Sequence, residues 1–361
     1  MYGYELVSLP VDQIPQNLTV LYPQARSENL ISAAIYGIIC TVGIVGNTGV
    51  IYILVRLLCS SKQTTELHVL LLGLSIVDML TLFTIPLLIQ SMLSAHWGFG
   101  LTLCKVISSV ESMNKTLSTF LQLLLTFYCW IGVRRPFLVV RLKAKHGFTK
   151  AILASGGLFI LLTLPVTYYS NVQAILAVTP TNFTIHLNTK CLVTFPDAWL
   201  SAFTGYSAIL CFCIPGVLHI LLYTDIIYRV HRQRVRAGKS RRPYLWALIK
   251  KSMLLVVIYL LCWTPYWSMT IAHLFMASPT APRPWLIFAS QVIHCLPFLS
   301  LAINPPIYVL LNRCILTSFD ELKRLSGILL LYLPVLVAVQ GITKKKRTRK
   351  EIQKHMESVT L

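Results

Sequence analysis

Long apolar runs alternate with short polar ones along this chain. Seven runs, approximately 30–58, 67–94, 103–131, 149–169, 200–228, 246–276 and 285–311, carry few charges. About 20 apolar residues in helical conformation suffice to cross a hydrocarbon core. With no water there, each backbone N–H must find its partner within its own segment, so the runs are predicted to be helices. The expected fold class is an all-α membrane protein, a seven-transmembrane helix bundle. After the seventh run, residues 312–325 combine helical spacing with mixed polarity, which fits an amphipathic eighth helix along the membrane surface.

This pattern divides the chain into an N-terminal segment (1–29), a helical domain (30–325) and a tail (326–361). The tail interrupts the pattern. "GILLLYLPVLVAVQGI", residues 327–342, is short for a span, contains Pro334 and precedes the basic cluster "TKKKRTRK". A crossing there would carry that cluster to the outside, so the stretch reads as membrane-associated or re-entrant. Read-through into non-coding sequence is the alternative.

Composition agrees with the pattern. Of 361 residues, 55% are hydrophobic and only 12% charged, about half the charge of an ordinary soluble domain. The net charge of +20 raises the question of a nucleic-acid partner, and its distribution answers it. Of 32 Lys and Arg residues, 27 fall in the tail, in the stretches that follow the first, third and fifth runs, or at the run ends bordering those stretches. Arg26, Lys105, Lys190 and Arg283 lie on the other side, and Lys115 lies inside the third run. This asymmetry places the N-terminus outside and the C-terminus in the cytoplasm. It reads as a basic surface beside anionic membrane lipid, with no nucleic acid as partner.

Two sequons, at Asn17 and Asn182, fall on the predicted outside and are candidate glycosylation sites. Asn114-Lys115-Thr116 has the same form but lies within the third run. Residues 1–29 hold no apolar core of a cleavable signal peptide, so the first helix is expected to act as its own insertion signal. Ten cysteines are too scattered for a disulfide framework or a spaced metal site. Only Cys104 and Cys191 sit near predicted outer ends, where an oxidising exterior favours their pairing.

Individual residues then mark most of the helices in order. They are Gly46-Asn47, Asp78 in "LGLSIVDML", "WGFGLTLCK" ending at Cys104-Lys105, and Pro215 with Tyr223 eight residues on. "CWTPYW" follows, with Trp263 and Pro265, and then "NPPIY" from Asn304 and Pro305 to Tyr308. In that order across residues 30–325 they resemble rhodopsin-like (class A) G-protein-coupled receptors. Thr84-x-Pro86 and "KCLVTFPD" are most similar to peptide receptors of the somatostatin, opioid and chemokine type.

The resemblance implies roles for these residues. Trp263, Pro265, Tyr223, Asn304, Pro305 and Tyr308 would be activation switches. A mid-helix proline removes one hydrogen bond and bends the backbone, giving the inner halves of helices six and seven two packings that a ligand could bias. Asp78, Asn114 and Ser118 look like the sodium site of these receptors, and no other cofactor is expected. Ser300-Leu301 departs from the usual Asn-Ser there, and a hydrogen-bonded packing carboxyl is the competing reading of Asp78. Glu111 stands where amine, opioid and somatostatin receptors carry the aspartate that binds a ligand cation. Lys115, four residues on, could instead form an internal pair with it. Gln291, His294 and His273 toward the outer ends, with Trp263 beneath, are further candidates for the ligand pocket.

The end of the third run departs most from the pattern. Val133, Pro136 and Phe137 fit the family, but Tyr128-Cys129-Trp130 stands where Asp-Arg-Tyr belongs. The missing arginine ordinarily holds the inactive state and meets the G protein, and Arg134 is more than a turn too far along to replace it. The aromatic boundary also suits an interfacial anchor.

With no nucleophile, metal cluster or phosphate loop, the chain is not expected to be an enzyme. The expected function is a plasma-membrane receptor for an extracellular peptide, acting through a heterotrimeric G protein, with arrestin and membrane lipid as further partners. The alternative is a receptor with weak or no coupling, acting as a scavenger or dimer partner. A transporter or channel is more remote, because Asp78, Glu111 and Lys115 are the clear intramembrane charges and no repeat relates the halves.

Overall fold

In the computed structural model, residues 6–10, 27–60, 66–94, 96–144, 146–179, 184–237, 243–275 and 284–311 are described. The chain runs β1 (Leu6–Pro10), α1 (Ser27–Ser60), α2 (Glu66–Leu82), α3 (Ile85–Ser94), α4 (Gly100–Arg134), α5 (Pro136–Ala144) and α6 (Gly147–Tyr169). A hairpin of β2 (Ser170–Thr179) and β3 (Thr184–Val193) follows. Then come α7 (Asp197–Ala208), a π-helical turn (Ile209–Cys213), α8 (Ile214–Ala237), α9 (Pro243–Phe275) and α10 (Pro284–Leu311). Among the described residues, seven helical runs are long and apolar enough to cross a membrane: Asn29–Cys59, Glu66–Ser94, Gly100–Arg134, Gly147–Tyr169, Trp199–Gln233, Ser252–Ala272 and Ala289–Val309. The seven-helix bundle expected from the apolar runs is therefore what the chain builds. The region of the eighth helix, the tail, Asn17 and Asn182 lie outside the described residues, as does the side chain of His273.

Prolines shape the spans, and three of them also tie spans together. A proline leaves the carbonyl four residues earlier without its helical donor. The carbonyl freed by Pro86 is that of Leu82, and Cys40 of the first span donates to it (3.5 Å). Pro215 frees the carbonyl of Cys211 in the π-helical turn, and Tyr259 of α9 donates to it (2.7 Å). Pro305 frees Leu301, whose carbonyl accepts from the Asn47 side chain of α1 (3.1 Å). Each local break becomes a bond between helices, which is how a membrane interior tolerates it.

The largest apolar core joins the spans at the end where α4 meets α5. It includes Leu71, Leu74, Leu121, Leu125, Ile226 and Tyr308. Toward the hairpin end the packing divides into one cluster of the first, second and seventh spans and another of the fifth and sixth. Space for a cavity lies between them. Leu153, Leu158, Ile160 and Leu161 of α6 and Val217, Ile220 and Leu221 of α8 face outward, where hydrocarbon rather than water is the solvent.

A three-stranded antiparallel sheet in the order β1-β2-β3 covers the hairpin end. Pairing of Leu6–Pro10 along the β2 edge of the hairpin had no signal in the sequence pattern. A disulfide from Cys104 to Cys191 fixes β3 to the start of α4. The Trp97 N–H donates to the Thr189 carbonyl (2.9 Å), adding a second tether. Gly100 has φ +74°, a left-handed turn that glycine adopts without a Cβ penalty. There its carbonyl accepts the Trp97 indole N–H (2.9 Å).

Candidate functional site

Under the hairpin, the third to seventh spans enclose a cavity of about 590 Å³ whose wall includes Glu111, Lys115, Tyr266, Trp267 and His294, with Cys191 of β3 above. A second cavity of about 290 Å³ lies toward the first and second spans, against Tyr36, Thr81, Asn114 and Trp263. Glu111, Lys115, Tyr266 and His294 border both. They form a partition between the two spaces.

Helical geometry creates this partition. Glu111 and Lys115 are four apart on α4 and so share a face. The internal ion pair allowed by that spacing is not formed: among the described residues, both ion pairs belong to Asp225. Lys115 instead donates to the Tyr266 hydroxyl (2.8 Å) and lies 5.0 Å from that ring's centroid. Tyr266 is packed edge-to-face against Trp263, Trp267 and His294, with centroids 5.6, 5.4 and 5.3 Å apart. The ring that receives the cation is thereby held by aromatic neighbours on α9 and α10.

Of the residues singled out for a pocket, Glu111, Lys115 and His294 border both cavities and Trp263 the smaller one. Gln291 is engaged elsewhere: it accepts from Ser32 (3.1 Å) and donates to Asn29 (3.3 Å), linking the first and seventh spans. Tyr266 and Trp267 were not singled out, although both stand in the quoted "CWTPYW". Spacing gave no sign of which aromatic would meet the lysine.

Deeper in the bundle, Asp78 is fully buried. Its Oδ2 accepts from Asn304 (3.2 Å), while its Oδ1 and the hydroxyl of Ser75, three residues earlier, have no hydrogen-bond partner. Ser118 donates to Asn114 Oδ1 (2.7 Å). Ser300, at the position that departs from the family pattern, donates to the Pro297 carbonyl (2.6 Å). A carboxylate with one orphaned oxygen beside an orphaned hydroxyl suits a small hard cation, which takes oxygen ligands. Asp78 would be its charged ligand, with Ser75, Asn114 and Ser118 supplying neutral oxygens.

At the opposite end of α4, the Tyr128-Cys129-Trp130 stretch is closely engaged. Cys129 is fully buried, with its Sγ 3.5 Å from Ser252 Oγ of α9. Ser252 gives its proton to the Ile249 carbonyl (3.1 Å) and accepts from the Tyr223 hydroxyl of α8 (2.9 Å). A neutral thiol and two hydroxyls thus join the third, fifth and sixth spans. Tyr128 packs edge-on against Phe148 (5.5 Å). Trp130 stacks on Phe127 (5.6 Å) and donates its indole N–H to Asp225 Oδ2 (2.8 Å).

Arg134 reaches the same carboxylate, from Nε to Oδ2 (2.9 Å) and from Nη2 to Oδ1 (2.8 Å), with its guanidinium 5.4 Å from the Trp130 ring centroid. It does not stand in for the missing family arginine within α4. It faces the fifth span instead. Asp225 was missed in the sequence, although a carboxylate within an apolar run is the same signal that marked Asp78.

Comparison with known proteins places this arrangement. The model of the 7 transmembrane receptor (rhodopsin family) matches residues 46–308. Similar relatives include pig (Sus scrofa) somatostatin receptor type 2, 25% identical over 83% of this chain and 80% of its own length. Rat (Rattus norvegicus) somatostatin receptor type 1 is 25% identical over 84% of this chain and 74% of its own. Mouse (Mus musculus) neuropeptides B/W receptor type 1 is 28% identical over 89% of this chain and 91% of its own. These relatives are receptors and not enzymes, and seven spans make this chain a multi-pass membrane protein. With the family model matched from the first-span Gly46 to the seventh-span Tyr308, the chain belongs to the rhodopsin family of seven-transmembrane receptors.

Proposed function

We propose that this receptor binds an extracellular peptide and signals through a heterotrimeric G protein, with its N-terminus outside and C-terminus in the cytoplasm. The observation that carries the reading is the cavity of about 590 Å³ roofed by a disulfide-tethered hairpin, with a carboxylate and an ammonium in its wall. Ligand sites of this kind are concave and mostly apolar, with a few placed polar groups. An edge of the hairpin could also receive an extended peptide backbone. The relatives, somatostatin and neuropeptides B/W receptors, support a peptide over an amine.

Ligand seated between Glu111 and Tyr266 would press on Trp263 and favour the packing of α9 that opens the basic end. That coupling is reciprocal, so an engaged G protein would tighten the ligand. Sodium at Asp78, bound better by the closed packing, would oppose it. Glycosylation at Asn17 and Asn182 belongs to the same outward-facing topology, and arrestin and anionic lipid are expected at the basic end.

A second reading rests on Cys129. Without an arginine there, the receptor would bind ligand with weak or absent G-protein output, as a scavenger or dimer partner. A peptide-library screen with parallel G-protein-activation and arrestin-recruitment readouts tests both. Peptides that activate G protein support the first reading, and arrestin recruitment without G-protein output supports the second. No response by either readout at confirmed surface expression would sink the peptide-receptor proposal.

A further inference from the structure

A cation inside a membrane protein is costly unless something answers its charge. Lys115 carries three N–H donors, and its one hydrogen bond among the described residues goes to a neutral phenol, Tyr266 (2.8 Å). Glu111, one turn away and on the same cavity walls, makes no ion pair with it. Edge-to-face with the Tyr266 ring stands Trp267, 4% exposed, whose indole N–H has no acceptor among the described residues. An orphaned buried donor is uncommon and calls for a partner. The wall near Tyr266 thus presents an ammonium short of acceptors and a buried donor without one, and both residues line the larger cavity.

We propose that Lys115, with Tyr266 and Trp267 beside it, is the seat of a carboxylate on the ligand, borne either by an acidic side chain or by a free C-terminus. The proposal deepens the peptide-receptor reading and rests on it. Glu111 by itself selects a basic group. With Lys115 on the same face and no carboxylate within ion-pair distance of it among the described residues, the partition reads both signs, so the ligand places an acidic group within a few ångströms of a basic one. The two side chains need no shared proton or direct contact to do this, because each answers a different ligand group. An amidated, purely cationic ligand would leave Lys115 unanswered and is selected against.

The test uses the full-length receptor purified into lipid nanodiscs and reads thermal unfolding with matched probes. N-acetyl-phenylalanine against its carboxamide supplies the α-carboxylate arm. N-acetyl-glutamate α-amide against N-acetyl-glutamine α-amide supplies the side-chain arm. At least one carboxylate is expected to raise the midpoint while its uncharged partner does not, and the arm that responds identifies the source. In Lys115→Gln the difference between partners is expected to vanish, and in Lys115→Arg, which keeps the charge, to persist. Equal shifts from carboxylate and amide, no shift from any carboxylate, or a difference that survives in Lys115→Gln would each overturn the proposal. This readout is independent of signalling. A failed peptide screen would remove the receptor proposal without altering these midpoints, and a failed probe series would remove only the carboxylate seat.

Discussion

Arg134 and Asp225 clamp the third span to the fifth through two parallel hydrogen bonds, and the Trp130 indole adds a third to the same carboxylate. These bonds run between the third and fifth spans, whereas Cys129 of the same stretch of α4 meets Ser252 of the sixth. An outward swing of α9 would therefore leave the charged clamp intact. Arg134→Gln and Asp225→Asn are expected to lower the unfolding midpoint while leaving ligand-free G-protein activation close to wild type. A midpoint measured in nanodiscs beside a basal activation assay checks both halves. High basal output from either variant would show that the clamp acts as an inactive-state lock after all.

Ser252 joins α9 to both α4 and α8 at this end of the bundle. Replacing it by alanine removes the acceptor shared by Tyr223 and Cys129. One hydrogen bond contributes about 1 kcal/mol net, which is about a fivefold shift in a two-state balance. Ser252→Ala is expected to raise basal G-protein activation by about that factor at matched surface expression.

Cys129→Arg restores the residue type that the family pattern places there. The site is fully buried between Ser252 and Tyr223, so a guanidinium fits only if α9 moves outward. The expected result is greater G-protein output and a lower unfolding midpoint, because overpacking a core costs about 1–3 kcal/mol. Unchanged output in an activation assay would mean that this position does not limit coupling.

Asp78→Asn tests the cation site. The substitution keeps the shape that accepts from Asn304 but removes the charge a cation needs. If sodium opposes agonist binding through Asp78, exchanging sodium for a large organic cation should tighten agonist binding in wild type by about fivefold or more. The same exchange should do almost nothing in the variant. Radioligand competition in the two salts measures the difference.

The Cys104–Cys191 bond closes a loop with a sequence separation of 87 residues, for which chain entropy predicts a stabilisation of about 4–5 kcal/mol. Cys104→Ser and Cys191→Ser are expected to lower surface expression to the same degree, and the double variant no further. Equal losses in all three identify the bond rather than either thiol as the cause. Flow cytometry of intact cells measures this directly.

Spans, prolines and intramembrane charges were legible because the bilayer imposes its demands locally. A backbone with no water available must bond within its own segment, so hydropathy along the chain reports the helices. Asp78, Glu111 and Lys115 stood out for the same reason, as charges in apolar runs. Their partners were not legible. The spacing of Glu111 and Lys115 allowed an internal pair, and whether it formed depended on where the Tyr266 hydroxyl came to lie, 151 positions away. Tyr128-Cys129-Trp130 was visible as a departure from a pattern, but its surroundings were not.

By itself, then, the sequence determined seven crossings, the residues that bend them and the place where the family's arginine is absent. Only the tertiary structure decided that Asp225 takes up Arg134 and Trp130, that Ser252 meets Cys129, and that Asn47 and Tyr259 satisfy carbonyls freed by prolines on other helices. The reason lies in the range of the forces. Burial in hydrocarbon acts on each segment wherever its neighbours lie, whereas a hydrogen bond or ion pair exists only once packing brings two distant side chains within about 3 Å.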